Sequence, residues 1–219
     1  MLRSSPLSLR VTGPMACFTN PALKVERFSY DVMTPSAARG VLEAVCWKPA
    51  IVWRIDRIKV LKPINRIAIR RNEVNSRLST DGAISWMQGD SSPTDFFADE
   101  DRAQRNMVGL RDVDYVIEAH FEMTPKAGPG DNVRKFEEMF RRRVSNGQCF
   151  QTPYLGCREL VAEFSPADGH PAPIPETRPL GRMLHDIEFS AGGSHRPVFF
   201  DAALDAGVLA VPPWKEVRE

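Results

Sequence analysis

The sequence predicts an α+β protein, a ferredoxin-like (RRM-like) βαββαβ domain followed by a small C-terminal antiparallel β-sheet. The predicted elements follow the order strand, helix, strand, strand, helix, strand. The spacing of apolar residues also switches twice, from a period of two to one of about 3.6 and back. Three short apolar stretches then close the chain. RNA-recognition motifs share the same order of elements.

The first half of the domain contains two strands and a helix. Apolar and polar residues alternate over 7–12, and we expect Gly13 to end this first strand. A helix is predicted over 35–46, with Thr34 as its cap. A second strand is predicted over 51–60, where the alternation slips once, as a β-bulge would make it.

The second half begins with a polar stretch over 65–109, which is too long for an ordinary loop. We expect an excursion with its own hairpin, or a functional loop. Clean alternation over 113–123 predicts the third strand. A second helix follows, capped by Asp131 or Asn132, and the fourth strand is expected over 157–164. Both helices carry an apolar stripe that should pack on one face of the sheet: Val41, Leu42, Val45, Phe136 and Phe140.

The chain divides in sequence into three parts. Residues 1–164 form the predicted domain, with 65–109 as its insertion. Residues 165–176 are rich in proline and alanine and are typical of a linker. Residues 177–219 contain three short strands, enough for a small sheet that is marginal alone, so we expect it to pack on the domain.

Composition excludes several classes of function. The 219 residues carry a formal charge of +1, so nucleic-acid binding would need local clusters of basic residues. The four cysteines form no C-x-x-C pair, which argues against a zinc site and a disulfide framework. The sequence shows neither a signal peptide nor an apolar run long enough to span a membrane. We therefore expect a cytoplasmic protein with no metal, cofactor or membrane partner.

Basic residues gather in two places. Eight lie between Arg54 and Arg77, and the segment with Arg66, Arg70, Arg71 and Asn72 offers donors for phosphates and base edges. A solvated charged edge is the alternative interpretation. The second cluster lies on the second helix and is partly balanced by glutamates: Arg134, Lys135, Arg141, Arg142 and Arg143.

Catalytic motifs are weak. Asp95, Asp99, Glu100 and Asp101 resemble a metal cluster, although a solvated acidic tip is the commoner structure for such a loop. His120 lies on the polar side of its strand and could be a general base or a surface residue. Cys46 ends the first helix, where it could serve a site or fill the core.

Longer motifs resemble one known family. The stretches "FTNPALKVERFSYDVMTPSAARGVLEAVCWKP", "RRNEV", "LRDVDYVIEAHF", "DNVRKFEEMFRRRVSNGQCFQTPYLGCREL" and "RPVFFDAALDAGVLAVP" are similar, in this order, to the CRISPR-associated Cas-five family of type I-C (Dvulg subtype) systems, in the RAMP superfamily. The resemblance covers nearly the whole chain. It implies a ferredoxin-like domain with a C-terminal sheet.

The resemblance also implies an activity and its partners. Proteins of this family cleave the CRISPR precursor RNA within each repeat, without a metal, and stay bound to the 5′ handle of the guide RNA in the interference complex. The implied reaction is attack by the ribose 2′-OH on the adjacent phosphate, which needs a general base, a general acid and a cation near the phosphate. The alternatives are a non-catalytic guide-RNA subunit and a binder of double-stranded DNA.

The resemblance implies a site that this chain matches only in part. The tyrosine of the family falls on Cys46, and its Lys-His pair falls on Lys135 and Phe136. The Cys46 sulfur should then face the phosphate site, close to Lys135 and outside the core. His120 and Tyr154 are the candidates to replace the missing groups. The RNA-binding residues are expected to be Arg39, Lys48, Arg66, Arg70, Arg71, Asn72, Arg134 and Arg141.

Overall fold

The computed structural model describes residues 2–23, 26–77, 79–89, 97–189 and 195–217. The elements within these ranges are, in chain order, β1 (Leu7–Ala16), β2 (Arg27–Phe28), α1 (Pro35–Val45), β3 (Ile51–Val60), β4 (Asn65–Val74), α2 (Thr80–Gln88), β5 (Arg102–Met123), α3 (Val133–Ser145), β6 (Glu163–Ser165), β7 (Arg178–Phe189), β8 (His195–Asp205), β9 (Val208–Ala210) and α4 (Trp214–Val217).

An antiparallel, curled sheet with few helices dominates the fold. Its strand order is β6-β1-β5-β3-β9-β8-β7, and β2 and β4 also pair with β5. The C-terminal strands belong to the same sheet because β9 pairs with β3. The predicted bulge in β3 is confirmed by a register shift between Ile55 and Arg57.

The helices α1 and α3 form as their capping residues predict. Thr34 Oγ1 accepts a hydrogen bond from Ala37 N at 3.3 Å, and Asn132 Oδ1 accepts one from Lys135 N at 2.9 Å. The predicted apolar stripes are buried, and they face one side of the sheet: Val41, Leu42, Val45, Phe136 and Phe140. On that side Phe140 packs on Trp53 and Phe136 on Phe121, with ring centroids 5.0 and 6.3 Å apart.

The strand β5 is twice as long as the sequence predicts, with 22 residues in place of the expected 113–123. Its second half lies between β1 and β3 in the core, and residues 102–111 pair with β4 in a long hairpin. The polar excursion is therefore a hairpin, with α2 between its strands in sequence. Most of the hairpin's side chains are exposed or half-buried, so no apolar alternation indicated the extra residues.

Two predicted strand ends are wrong. The strand β1 continues past Gly13 to Ala16, because Met15 and Ala16 still pair with β5. A Cβ at Gly13 would clash with Leu155, which explains the glycine inside a strand.

The fourth predicted strand is reduced to the three residues of β6, whereas 157–164 was expected. The segment before it curls back on itself, with hydrogen bonds from Leu155 N to Leu160 O and from Leu160 N to Cys157 O. Alternating apolar residues there come from a turn packed on the sheet, not from a ladder.

No helix in the described ranges has both the length and the apolar character needed to cross a membrane.

Candidate nucleic-acid interface

The hairpin of β4 and β5 presents one solvent-exposed face of basic and amide side chains, which we call the ribbon face. Residues paired across an antiparallel ladder share a face, and here Arg70 lies opposite Asn106 and Asn72 opposite Gln104. The nine residues of the ribbon face include three arginines and no acidic residue: Arg66, Ala68, Arg70, Asn72, Val74, Arg102, Gln104, Asn106 and Val108. Such a face suits a phosphate backbone.

The arginines of the ribbon face are not equally available. Arg66 pairs with Asp31, and its guanidinium lies 5.4 Å from the centre of the Phe28 ring. Burial opposes ionisation of Asp31, but hydrogen bonds from Arg66 and Arg178 outweigh it and lower the pKa of that carboxyl. Within the described part of the chain Arg70 makes no ion pair or side-chain hydrogen bond, so its charge faces solvent.

Arg71 lies on the opposite side of the hairpin from the ribbon face. It pairs with Glu73, and its Nη1 is 3.2 Å from Glu159 Oε1. Arg27 joins the same network through Glu159 at 2.5 Å, and Arg105 through Glu73 at 3.3 Å. The structure thus separates Arg71 from Arg66, Arg70 and Asn72 and gives its charge local partners.

A cleft of about 490 Å³, the β2–β5 cleft, adjoins the ribbon face. Leu23, Phe28 and Val108 form its apolar wall, and Glu26 and Asn106 contribute polar groups. Asn106 Nδ2 donates to Glu26 Oε1 at 3.2 Å.

Cys46 is buried, so the expectation that its sulfur lies outside the core is wrong. Its backbone ends α1, where its carbonyl oxygen accepts a hydrogen bond from Trp53 Nε1 at 2.9 Å. Burial raises the pKa of the thiol, against the opposing charges of Arg143 and Lys48. A neutral, sealed thiol is a space-filling group of the core and not a proton donor to RNA.

Lys135 is exposed at the start of α3. Its Nζ lies 2.9 Å from Asp131 Oδ1 and 3.5 Å from Gly130 O. The hydrogen bond from Lys135, together with one from the Gly128 backbone N–H, lowers the pKa of Asp131. The charge of the half-buried Lys48 also lowers the pKa of Asp131, so both lysines act on this carboxylate.

His120 does not share a surface with Lys135. Its Nδ1 lies 2.9 Å from Asp56 Oδ1, on the sheet face opposite to α1 and α3. The next residue, Phe121, points the other way and packs on Phe136, beside Lys135. The sheet therefore stands between His120 and Lys135.

Tyr154 and Arg39 lie in another groove, of about 420 Å³, between α1 and β7. Arg39 binds Asp186 through two hydrogen bonds of 2.7 and 2.9 Å and Glu43 through one of 2.8 Å. Burial alone would lower the pKa of Arg39, but the Asp186 and Glu43 carboxylates raise it. Arg39 thus joins the N-terminal helix to the C-terminal strands, and its charge is compensated.

The two remaining basic candidates lie on α3. Arg134 is almost fully exposed and pairs with Glu138 at 2.7 Å. Arg141 is exposed and reaches Ser5 Oγ at 3.3 Å and Glu137 at 3.6 Å. Both belong to α3 and are far in sequence from the β4–β5 hairpin.

Sequence reasoning missed the residues that β5 contributes to the ribbon face: Arg102, Gln104, Asn106 and Val108. The available signal was the polar alternation in "RAQRNMVG", which continues the period of the strand that follows. No group of three or more potential metal-binding side chains occurs among the described residues. Asp95 of the acidic stretch lies outside them.

Comparisons with known proteins agree over nearly the full chain. A family model described as CRISPR-associated protein (Cas_Cas5) matches residues 7–212. A protein of Mannheimia succiniciproducens named CRISPR pre-crRNA endoribonuclease Cas5d is 48% identical over 217 residues, 95% of each chain. A protein of the same name from Thermus thermophilus is 39% identical over 226 residues, 95% of this chain and 92% of that one.

Solved structures share the fold at low sequence identity. A CRISPR-associated protein matches with a TM-score of 0.71 and 21% identity, covering 100% of this chain and 97% of its own. A functionally uncharacterized protein from Streptococcus mutans matches with a TM-score of 0.70 and 20% identity, covering 100% and 98%. A chain of a CRISPR RNA-guided surveillance complex matches at 0.52 and 14%, covering 98% and 96%.

Proposed function

The chain belongs to the Cas5 family of CRISPR-associated proteins, and we infer from this that it is an endoribonuclease that cuts CRISPR precursor RNA. The two Cas5d relatives, which are similar along almost their whole length, carry this activity in their names. After cutting, the protein stays on the 5′ handle of the guide RNA as a subunit of the type I-C interference complex. Its partners are the repeat RNA and the other subunits.

We propose that the β6-β1-β5-β3 part of the sheet, with α1 and α3, is a ferredoxin-like unit. The strand order supports this, as does the position of both helices on one face. The unit corresponds to residues 1–164, and residues 177–219 extend its sheet after the linker 165–176.

The observation that carries RNA binding is the ribbon face. Three arginines and three side-chain amides lie on one exposed surface, none of whose nine strand positions is acidic, in a protein whose formal charge is only +1. A two-stranded ribbon with this face binds a phosphate backbone and leaves the bases free to reach neighbouring groups. Arg66, Arg70 and Asn72 are its contributions from β4.

The proposed chemistry needs no metal, because RNA carries its own nucleophile in the 2′-OH. Lys135 is the exposed cation that can stabilise charge on the phosphate at the transition state, after exchanging Asp131 for the phosphate oxygens. Tyr154 and His120 are the candidates for proton transfer. Only a group on the Lys135 side of the sheet can act with it. Tyr154 lines a groove beside α1, which covers the same sheet face as the helix of Lys135, so Tyr154 is favoured over His120.

The second candidate function is a non-catalytic subunit that binds guide RNA or double-stranded DNA. The burial of Cys46 and the separation of His120 from Lys135 favour it, since the described residues assemble no complete acid–base set around Lys135.

One experiment separates the two functions. The purified protein is incubated with the repeat RNA of its own locus, with a chelator, and with an RNA whose 2′-OH at the cut is replaced by hydrogen. The enzyme cuts the first RNA with or without chelator and binds the second without cutting it. Binding of both RNAs without any product identifies the non-catalytic subunit, and tighter binding to a DNA duplex of equal length identifies the DNA-binding one.

A further inference from the structure

The β2–β5 cleft is a place where the ribbon face meets an apolar wall. Pairing of Phe28 with Val108 puts both side chains on the ribbon side of the sheet, whereas Arg27 and Met107 face the other side. Leu23 on the same wall is 45% exposed. The volume of about 490 Å³ is in the range of sites that bind small planar ligands.

The polar and charged residues that line the cleft are one carboxylate, Glu26, one amide, Asn106, and one arginine, Arg27. Asn106 Nδ2 holds one oxygen of Glu26 at 3.2 Å. The guanidinium of Arg27 turns to the opposite face, where it binds Glu159 and Cys157. Among the described residues no basic side chain forms an ion pair with Glu26, and Asn106 engages only one of its two carboxylate oxygens.

The negative charge of Glu26 disfavours a phosphate in the cleft, so we expect the phosphates on the ribbon face beside Arg66 and Arg70. What a carboxylate between apolar walls accepts is a neutral group with N–H donors and a flat apolar surface. An unstacked nucleobase has both properties. The guanidinium of Arg66 over Phe28 adds a flat cationic surface at the rim of the cleft.

We propose that the β2–β5 cleft binds one unstacked guanine of the repeat RNA, with its N1–H and N2–H donors directed at Glu26. This rests on the proposed RNA-binding function and names the group recognised. Guanine presents two neighbouring donors to a carboxylate. Adenine and cytosine present only their amino group beside a ring acceptor, and uracil presents one N–H between two carbonyl oxygens that repel Glu26.

The test uses the full chain and uncleavable repeat RNA carrying a 2′-deoxy substitution at the cut. Each guanine is replaced in turn by inosine, which lacks the N2 amino group, and affinities are measured by fluorescence anisotropy. We expect one position at which inosine weakens binding about tenfold, since about 1.4 kcal/mol corresponds to that factor. For Glu26→Gln the same replacement should change affinity less than twofold. Glu163→Gln, an exposed carboxylate on β6, is the matched control and should keep the tenfold difference.

The outcomes distinguish base recognition in the cleft from the proposed RNA-binding function. If every inosine RNA binds the parent and Glu26→Gln alike, while the arginines of the ribbon face still set the salt dependence, the cleft does not read a base. The proposal is also overturned if Glu26→Gln keeps its discrimination and loses only binding to another subunit, which would make the cleft a peptide site. If the parent protein does not bind the repeat RNA at all, this result would instead contradict the proposed function.

Discussion

The indole N–H of Trp53 donates to the carbonyl oxygen of Cys46 at 2.9 Å, which fixes the end of α1 inside the core. Trp53 itself packs between Phe121 and Phe140, with ring centroids at 5.5 and 5.0 Å. Cys46 is the residue onto which the resemblance places the family's tyrosine, and its backbone carbonyl is held by this aromatic cluster. Because the Cys46 side chain is buried, its substitutions test stability before they test catalysis.

The first prediction concerns Cys46. Cys46→Ser and Cys46→Ala should cut at near-parental rates and lose about 1 kcal/mol of unfolding free energy, because one buried group is made polar or removed. Cys46→Tyr should lose about 1–3 kcal/mol or more through overpacking. Urea unfolding and single-turnover cleavage measure both effects. If Cys46→Ala cleaves RNA a hundredfold more slowly at parental stability, this would show that the thiol takes part in the reaction.

The second prediction concerns Lys135. Lys135→Ala should cut repeat RNA at least about a hundredfold more slowly, which is the usual effect of removing one group that stabilises transition-state charge. Affinity for uncleavable RNA should change little. Arg134→Ala is the matched control, because it removes the neighbouring charge, which pairs with Glu138. Equal rates for the two variants would exclude Lys135 from the chemistry.

The third prediction concerns the ribbon face. Arg66→Ala and Arg70→Ala should each reduce the dependence of log affinity on log salt by about 0.7, the value for one phosphate of a single strand. Arg182→Ala, on β7 and stacked on Phe199, should leave that slope unchanged. Arg71→Ala should lower the free energy of unfolding, because it leaves Glu73 and Glu159 with one fewer cation. Its effect on the salt slope should be smaller than that of Arg66→Ala or Arg70→Ala. A parental slope in the double variant of Arg66 and Arg70 would place the RNA elsewhere.

The fourth prediction concerns the helix–sheet core. Phe136→Ala and Phe140→Ala should each cost about 3–5 kcal/mol of unfolding free energy, because both rings are buried against aromatic side chains of the sheet. Phe150→Ala, at an exposed ring, should cost far less. Denaturant midpoints with unchanged slopes give the comparison.

The fifth prediction concerns pH. Cys157 accepts a hydrogen bond from Arg27 at 3.3 Å and lies beside Cys17; the interaction with Cys17 and the charge of Arg27 lower the pKa of Cys157 to about 6. The unfolded thiol has a pKa of about 8.5, so between these values the unfolded state binds the proton that the folded state has lost. The free energy of unfolding should therefore rise with pH from about 6 to about 8.5. On acidification this contribution is lost over the same range and is absent below about 6.

Cys157→Ser should flatten that pH dependence of the urea midpoint. Cys149→Ser, which changes an exposed cysteine, should leave it unchanged. A parental pH profile in Cys157→Ser would mean that the thiol stays protonated beside Arg27.

Local signals were sufficient for α1, α3 and the centre of the sheet, but not for the short helices α2 and α4. The caps at Thr34 and Asn132 and the stripe with Phe136 and Phe140 depend on neighbours within a turn or two, and each is visible in the sequence. The slip in alternation at Ile55 likewise indicates the bulge. These features need no knowledge of the partner strands.

What the sequence could not provide depends on distant partners. The first half of β5 shows only a polar alternation, because most side chains of the hairpin are exposed or half-buried, so its pairing with β4 left no clear apolar period. The turn between Leu155 and Leu160 is held against Gly13, far away in the chain. The role of Cys46 was transferred from a resemblance, whereas the burial of its side chain follows from the packing of α1 on the sheet. The opposed positions of His120 and Lys135 follow only once both helices are known to cover a single face.

The strand β5 joins the ribbon face and the core in one continuous ladder, and this limits how relatives of the chain can diverge. Substitution at alternate positions over 102–108 can change what the ribbon face recognises without altering the packed sheet. Insertion of a single residue after Asn106 would shift the register of the preceding residues by one. Arg105 would then lie on the ribbon face and Asn106 on the opposite face. Specificity in this segment is therefore expected to evolve by replacement of side chains at constant length.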